Sequence, residues 1–161
     1  GATATDRTEE LLCDADLYLL AVSDHALESV AATLPPTSGI WAHTAGSMPM
    51  DTLRPYHAQI GVFYPLQTFS RERRVDYSSI PIYKATIFRI YIEGNDESLV
   101  RLLESVARLI SRNVLRCTSE QRLYLHLAAV FACNFTNHLY ALSEQMLAAH
   151  SLPPRSLAPF S

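Results

Sequence analysis

Three short polar clusters each close an apolar run. Ser23-Asp24-His25 follows Asp16–Val22, His43–Ser47 closes Gly39–His43, and Tyr64–Thr68 closes Gln59–Tyr64. Each alone is an ordinary turn or helix cap. At the ends of successive candidate strands they point together to a ligand cleft, because ligands of open α/β sheets sit beyond the carboxyl ends of the strands. His43 is a candidate proton donor, since imidazole titrates near neutral pH; the alternative is a ring bonded to a neighbouring loop. A second polar set, Asn134, Asn137 and His138, shares a helical face in an otherwise apolar stretch. Buried amides and an imidazole need partners, which neighbouring backbone, a second subunit, or a substrate or cofactor could supply. No metal site is expected: His126 and His138 lie far apart on that helix with no carboxylate between them on the face. Ser47 lacks the setting of a nucleophile elbow. Arg71, Arg73 and Arg74 could hold a 2′-phosphate or an acidic substrate, or form a solvated loop.

The elements that must position these groups follow from hydrophobic period. Asp16–Val22, DLYLLAV, reads as a strand buried on both faces of a parallel sheet. Asp24 is placed to cap a helix bearing Ala26, Leu27, Val30, Ala31 and Leu34 on one face, stopped by Pro35-Pro36. Strands at Gly39–His43 and Gln59–Tyr64 follow, so the connections imply a parallel crossover. Leu66–Ser79 reads as a loop. Ile80–Glu93 contains the alternating IFRIYIE of a strand. Asn95 or Asp96 then caps a helix with Leu99, Leu102, Leu103, Val106, Leu109 and Ile110 on one face, and Val114–Cys117 is a last short strand. The final element is a long helix over Glu120–Ala149, roughly 45 Å at the helical rise, opened by a capping box between Thr118 and Gln121. Leu127–Cys133 is apolar without a break, which implies burial on all sides. The fold class is therefore α/β: a partial doubly wound parallel sheet over residues 1–94, then the start of an all-helical domain over residues 95–161.

Composition narrows the functions. The net charge is −3 with no basic patch, which argues against nucleic acid as a partner. No apolar run approaches the roughly 18 residues that would span a membrane. Charged residues make up 18% of the chain, below the usual level of about 25%, so a sizeable face is expected to be covered by a partner. Three cysteines without close pairs suit reduced thiols in the cytoplasm.

DLYLLAVSD, AHTAGSMPMDTL, GVFYPLQTFS and EQRLYLHLAAVFACNFTNHLYALSEQ, in this order, resemble the bacterial Rossmann-like proteins that carry a helical domain of unknown function. That family is grouped with deazaflavin-dependent NADP oxidoreductases, pyrroline-carboxylate reductases and the 6-phosphogluconate dehydrogenase-like clan. The resemblance covers most of Asp16–Gln145. Its members open with a strand and a glycine-rich turn that cradles the cofactor pyrophosphate. This chain has five glycines and no G-x-G-x-x-G, so it resembles a fragment lacking both ends of the family's length. Lys84–Arg89 is extra relative to the family.

The resemblance implies an NADP or NAD cofactor whose nicotinamide half faces Ser23, Asp24, Thr44, Ala45, Gly46 and Ser47. Related ketopantoate reductases place a Lys and two Asn at four-residue steps on the first long helix of their second domain. Here His126, Val130 and Asn134 occupy those steps, with His126 in the place of the Lys as proton donor and only Asn134 matching in type. With His43, these are the expected catalytic residues. The implied function is an NAD(P)-dependent oxidoreductase acting on a small carbonyl, imine or hydroxy acid. The alternative is a non-catalytic dimerisation or ligand-sensing module on a dehydrogenase-like scaffold. The apolar stretch Leu127–Cys133, which too few other elements remain to cover, and the low charge imply a homodimer through the long helix, with Phe131, Phe135 and Leu139 at or near the contact.

Overall fold

The computed structural model describes residues 2–67 and 89–153. Expectations for Arg71, Arg73, Arg74 and for residues 84–88 fall outside them. The described chain divides into two compact units, Gly1–Leu123 and Tyr124–Ser161.

The first unit is a sheet in sequential order: β1 (Leu17–Leu20), β2 (Ile40–His43), β3 (Ile60–Pro65), β4 (Arg89–Gly94) and β5 (Asn113–Arg116). β1, β2 and β3 pair in parallel, and α1 (Leu27–Thr33) connects the first two. β4 runs antiparallel to β3, and β5 is again parallel to β4. The expectation of a parallel sheet therefore holds on each side of one reversal. An antiparallel neighbour needs no crossover to the opposite end of the sheet.

Strand alternation sorts the sheet into two faces. Ile40, Ala42, Phe63, Ile90 and Ile92 form one core with Leu99, Val100, Leu103 and Ala107 of α2 (Glu97–Arg108). Tyr18, Leu20, Trp41 and Ile60 form the other with Leu27, Ala31 and Leu53. β1 is an edge of the described sheet and leaves Leu19 exposed, so the expectation that it is buried on both faces is corrected.

The capping residue of α2 is Asp96, whose carboxylate accepts from Leu99 N at 2.9 Å. The buried stripe differs from the expected one: Leu102, Leu109 and Ile110 are exposed, while Val100 and Ala107 are buried. Two glycines explain the rotation. A methyl group added at Gly61 would stand 2.7 Å from Leu103 Cδ1, and one at Gly94 would stand 2.6 Å from Leu99 Cδ2. The helix settles where the sheet has no side chains. It also ends at Arg108, before Leu109.

The long helix begins as expected. Gln121 N donates to Thr118 Oγ1 at 3.2 Å, and Thr118 N donates back to Gln121 Oε1 at 2.9 Å. α3 covers Ser119–Ala129, a π-helical segment Val130–Phe135 follows, and α4 covers Thr136–Ala149. In the second unit no described residue of Val130–Phe135 or α4 is buried. Leu127 and Phe131 are exposed, so the expected all-round burial of Leu127–Cys133 does not arise within the unit, whose described part is this helical run alone. No helix of the described residues is long and apolar enough to cross a membrane.

Candidate functional site

Register sets out the site. His43 pairs with Val62, and Val62 pairs with Glu93, so the three form one row across β2, β3 and β4 on the same face. Tyr64 stands two residues further along that face of β3. The loop over residues 44–50 leaves the end of β2 beside this row, and its polar groups are held from three directions.

From within the sheet, His43 is fully buried. Its Nδ1 accepts from Ala45 N at 3.2 Å, which places the proton on Nε2 to donate to Pro49 O at 3.3 Å. Burial, helped by the nearby Arg122 cation, pulls the imidazole pKa down to about 4. A neutral ring with both nitrogens engaged organises a turn and has no spare proton to give. From the turn that follows β1, Asp24 accepts a hydrogen bond from the hydroxyl of Ser47. The expectation that Asp24 caps α1 is corrected: the carboxylate ties two strand ends together instead, and the turn at Asp24–Ala26 has no side-chain cap. Ser23 is exposed beside it.

From above, the first turn of α3 closes the loop. Arg122 is completely buried and ion-paired with Glu93. Its Nη2 donates to Met48 O at 2.6 Å and to Ser119 Oγ at 3.3 Å. Ser119 Oγ also accepts from Met50 N at 2.9 Å and donates to Glu93 at 2.8 Å, while Ser119 N donates to the other carboxylate oxygen at 2.8 Å. Glu93 thus sits at the amino end of α3, where a carboxylate is favoured. Arg122 Nε is the donor left without a partner among the described residues. The half-buried Cys117 thiol lies close enough to feel this charge; burial raises its pKa, and Arg122 opposes that. Tyr64 is likewise raised, mainly by burial, with Arg122 opposing and Asp24 adding to the rise. Beside the network lies an open hollow of about 330 Å³ lined by Pro49, Met50, Asp51, Glu93, Thr118, Ser119 and Glu120.

The structure therefore brings together His43, Thr44, Ala45, Ser47, Asp24 and Tyr64 at one end of the sheet. Gly46 is buried in the same loop and does not have positive φ. His126 and Asn134 belong to the second unit, His126 half-buried and Asn134 exposed. The step from Val130 to Asn134 falls within the π-helical segment, where bonds span five residues rather than four. Asn134, Asn137 and His138 are all exposed, so the expected buried polar set does not arise within the described helical unit. Among the described residues no group of three or more His, Cys, Asp or Glu gathers as a metal site.

Sequence reading missed Arg122, Glu93 and Ser119. One signal was present: the alternation of RIYIE puts Glu93 on the face of Arg89 and Tyr91. A carboxylate on a strand face that carries a core demands a cation, but not a particular one.

Residues 88–160 match the model of a domain of unknown function, DUF2520. No curated protein sequence matches the chain. Among solved structures, a provisional NADP oxidoreductase of Bacteroides fragilis superposes with a TM-score of 0.79 at 35% identity, over 97% of this chain and 58% of that one. A protein of Thermotoga maritima superposes with a TM-score of 0.67 at 22% identity, over 90% of this chain and 53% of that one. An NADH-preferring ketol-acid reductoisomerase from an uncultured archaeon gives 0.59 at 11% identity, over 87% of this chain and 45% of that one. The last two likenesses speak for the fold alone. This chain spans little more than half the length of the first two. Its mostly parallel sheet and helical C-terminal stretch are thus similar to an NADP oxidoreductase-like Rossmann fold, and the match to the domain of unknown function takes in β4, α2 and β5 of the sheet unit as well as the helical stretch.

Proposed function

We propose that the chain is part of an NAD(P)-dependent oxidoreductase acting on a small carbonyl, imine or hydroxy acid in the cytoplasm. The observation that carries this reading is the 35% identity with the Bacteroides protein across 97% of the chain, which includes the loop at the end of β2. The residues present fit the nicotinamide half of a dinucleotide. Thr44 N, Ala45 N, Met48 O, Pro49 O and Met50 N of the 44–50 loop are bonded elsewhere in the chain, which sets the loop's shape in advance, and the side chains of Ser23 and Thr44 are offered to a nicotinamide amide or ribose. The cofactor, when bound, supplies the hydride. His43 keeps the loop in shape rather than moving a proton. His126 is the candidate proton donor to substrate, with Asn134 as a substrate-orienting amide.

No glycine-rich pyrophosphate turn occurs in these 161 residues, so NADPH is expected to bind this chain more weakly than micromolar. Amide shifts followed during a titration to millimolar NADPH test the reading. Movement confined to Ser23, Asp24 and Thr44–Ser47 is the expected result. Unmoved amides there would overturn it, and micromolar affinity would refute a half-built cofactor site.

A second reading, a dimerisation module without catalysis, is favoured by the exposed Phe131, Phe135 and Leu139. Both readings carry a homodimer through this helix, whose interface would bury on the order of 2,000 Å². Sedimentation equilibrium at micromolar concentration should give a dimer for the wild type and a monomer for Phe135→Asp. A folded, monomeric wild type excludes the dimer, and a dimer indifferent to the substitution moves it off this face.

A further inference from the structure

Arg122 is separated from Glu93 by 29 residues and from Met48 by 74, yet its guanidinium is completely buried between them. Stability alone does not account for such a residue, because a well-packed apolar replacement of a buried ion pair is often as stable. What the pair supplies is geometry. The planar fork points one nitrogen at Glu93 and the other at Met48 O and Ser119 Oγ, which a single ammonium cannot reproduce. The loop it grips has left the ladder of β2, so its carbonyls and amides need partners from elsewhere. Arg122 serves Met48 O, and Ser119, itself fixed by Glu93, serves Met50 N. His43 holds the same loop from below through Ala45 N and Pro49 O.

We propose that Arg122, with Glu93 and Ser119, is the positioning group that locks the 44–50 loop in its cofactor-facing shape, tying the start of α3 to the cofactor edge of the sheet. The proposal rests on the reading of this loop as the nicotinamide-facing edge. None of the three residues touches a cofactor; they act through Met48 and Met50. Nucleotide binding should therefore depend on a guanidinium that the nucleotide never meets.

The test compares wild type with Arg122→Lys, and with Ser119→Ala in case the lysine variant fails to fold. Amide hydrogen exchange reads the loop and NADPH titration reads the site. Exchange at Ala45 and Met50 should rise by about tenfold or more in the variants, the scale of one lost charge-assisted hydrogen bond, while Val62 and Ile92 keep their protection. NADPH-induced shifts at Thr44–Ser47 should disappear. In Arg122→Gln the ring titration of His43 should move up toward its ordinary value, a signature that general loosening of the fold far from His43 does not produce. Unchanged exchange at Ala45 and Met50 overturns the proposal. So does a loosened loop that still shows the NADPH shifts. If the wild type shows no NADPH shifts, the cofactor reading fails on its own, and the exchange measurement still decides whether Arg122 holds the loop.

Discussion

The polar end of the sheet and the long helix solve opposite problems. Around the 44–50 loop, polar groups meet partners drawn from the turn after β1, from β2, from β4 and from the first turn of α3. Along Tyr124–Ala149 the polar backbone is satisfied by the helix itself, and the large side chains find little. Phe131 is 66% exposed, Leu139 63% and Met146 71%, and Phe131 and Phe135 chiefly meet each other, ring centroids 5.2 Å apart. The loop is over-specified by its own chain. The helix carries large apolar side chains that the described residues leave uncovered, the kind of surface that the dimer proposed above would bury. Polar closure thus gives the loop its shape, while apolar excess is left exposed along the helix.

The difference can be broken most severely at Arg122. Arg122→Met leaves Glu93 without its counter-charge and should cost about 3–5 kcal/mol. Urea unfolding followed by fluorescence of Trp41, which is buried in the sheet unit, measures it. The double variant Arg122→Met/Glu93→Leu should recover most of that loss. A double variant as unstable as the single would show that packing, not charge, is the cause.

Acid comes next. His43 has its pKa lowered from 6.5 to about 4 by burial and Arg122, so the unfolded chain binds the proton more readily than the folded one. Its contribution is full above about pH 6.5, falls as the pH drops, and is gone below about 4, a total of about 3 kcal/mol. His43→Gln should flatten the stability profile across that window. An equally steep profile in the variant would assign the acid sensitivity to other groups.

Asp96→Ala removes the cap of α2 and should lower the same urea midpoint by roughly 0.5 M. A loss several times larger would mean that Asp96 does more than cap. The smallest effect is expected on the helix. At concentrations too dilute for association, Phe135→Asp should change the Trp41-reported stability by no more than about 0.5 kcal/mol, as a substitution at an exposed position. A larger loss there would show that Phe135 is already covered within the chain, and the contrast between the two regions would fall.

Much of this was legible in the sequence where the cause is local. The capping box of Thr118 and Gln121, the cap at Asp96 and the strands around Trp41, Val62 and Ile92 follow from neighbours within a few residues. The strand-end clusters were legible as a place, because strand ends accumulate polar turns. The roles inside the cluster were not. Asp24 has the type and position of a helix cap, and nothing local reveals that Ser47, 23 residues away, takes its carboxylate. The burial of Arg122 needs Glu93 and Met48 together, and no period in the sequence links the three. The reversal at β4 was hidden for a similar reason: alternation marks a strand but not its direction. The stripe of α2 was misjudged because the decisive feature is an absence, the missing side chains of Gly61 and Gly94.

The π-helical segment Val130–Phe135 has a consequence for chain length. A turn closed over five residues stores an extra residue without disturbing the phase of the helix beyond it. Removing one residue from Val130–Phe135 should let the ladder revert to four-residue bonds, with Thr136–Ala149 keeping its rotation about the axis relative to Tyr124–Ala129. Removing one from within Thr136–Ala149 should swing every later side chain by about 100°. For a deletion before Leu142, Ser143 would then take the side of the rod that Leu142 occupied, and Met146 the side of Gln145. The segment is a slack point, where the chain can be shortened by a single residue while the lateral order of everything after it is preserved.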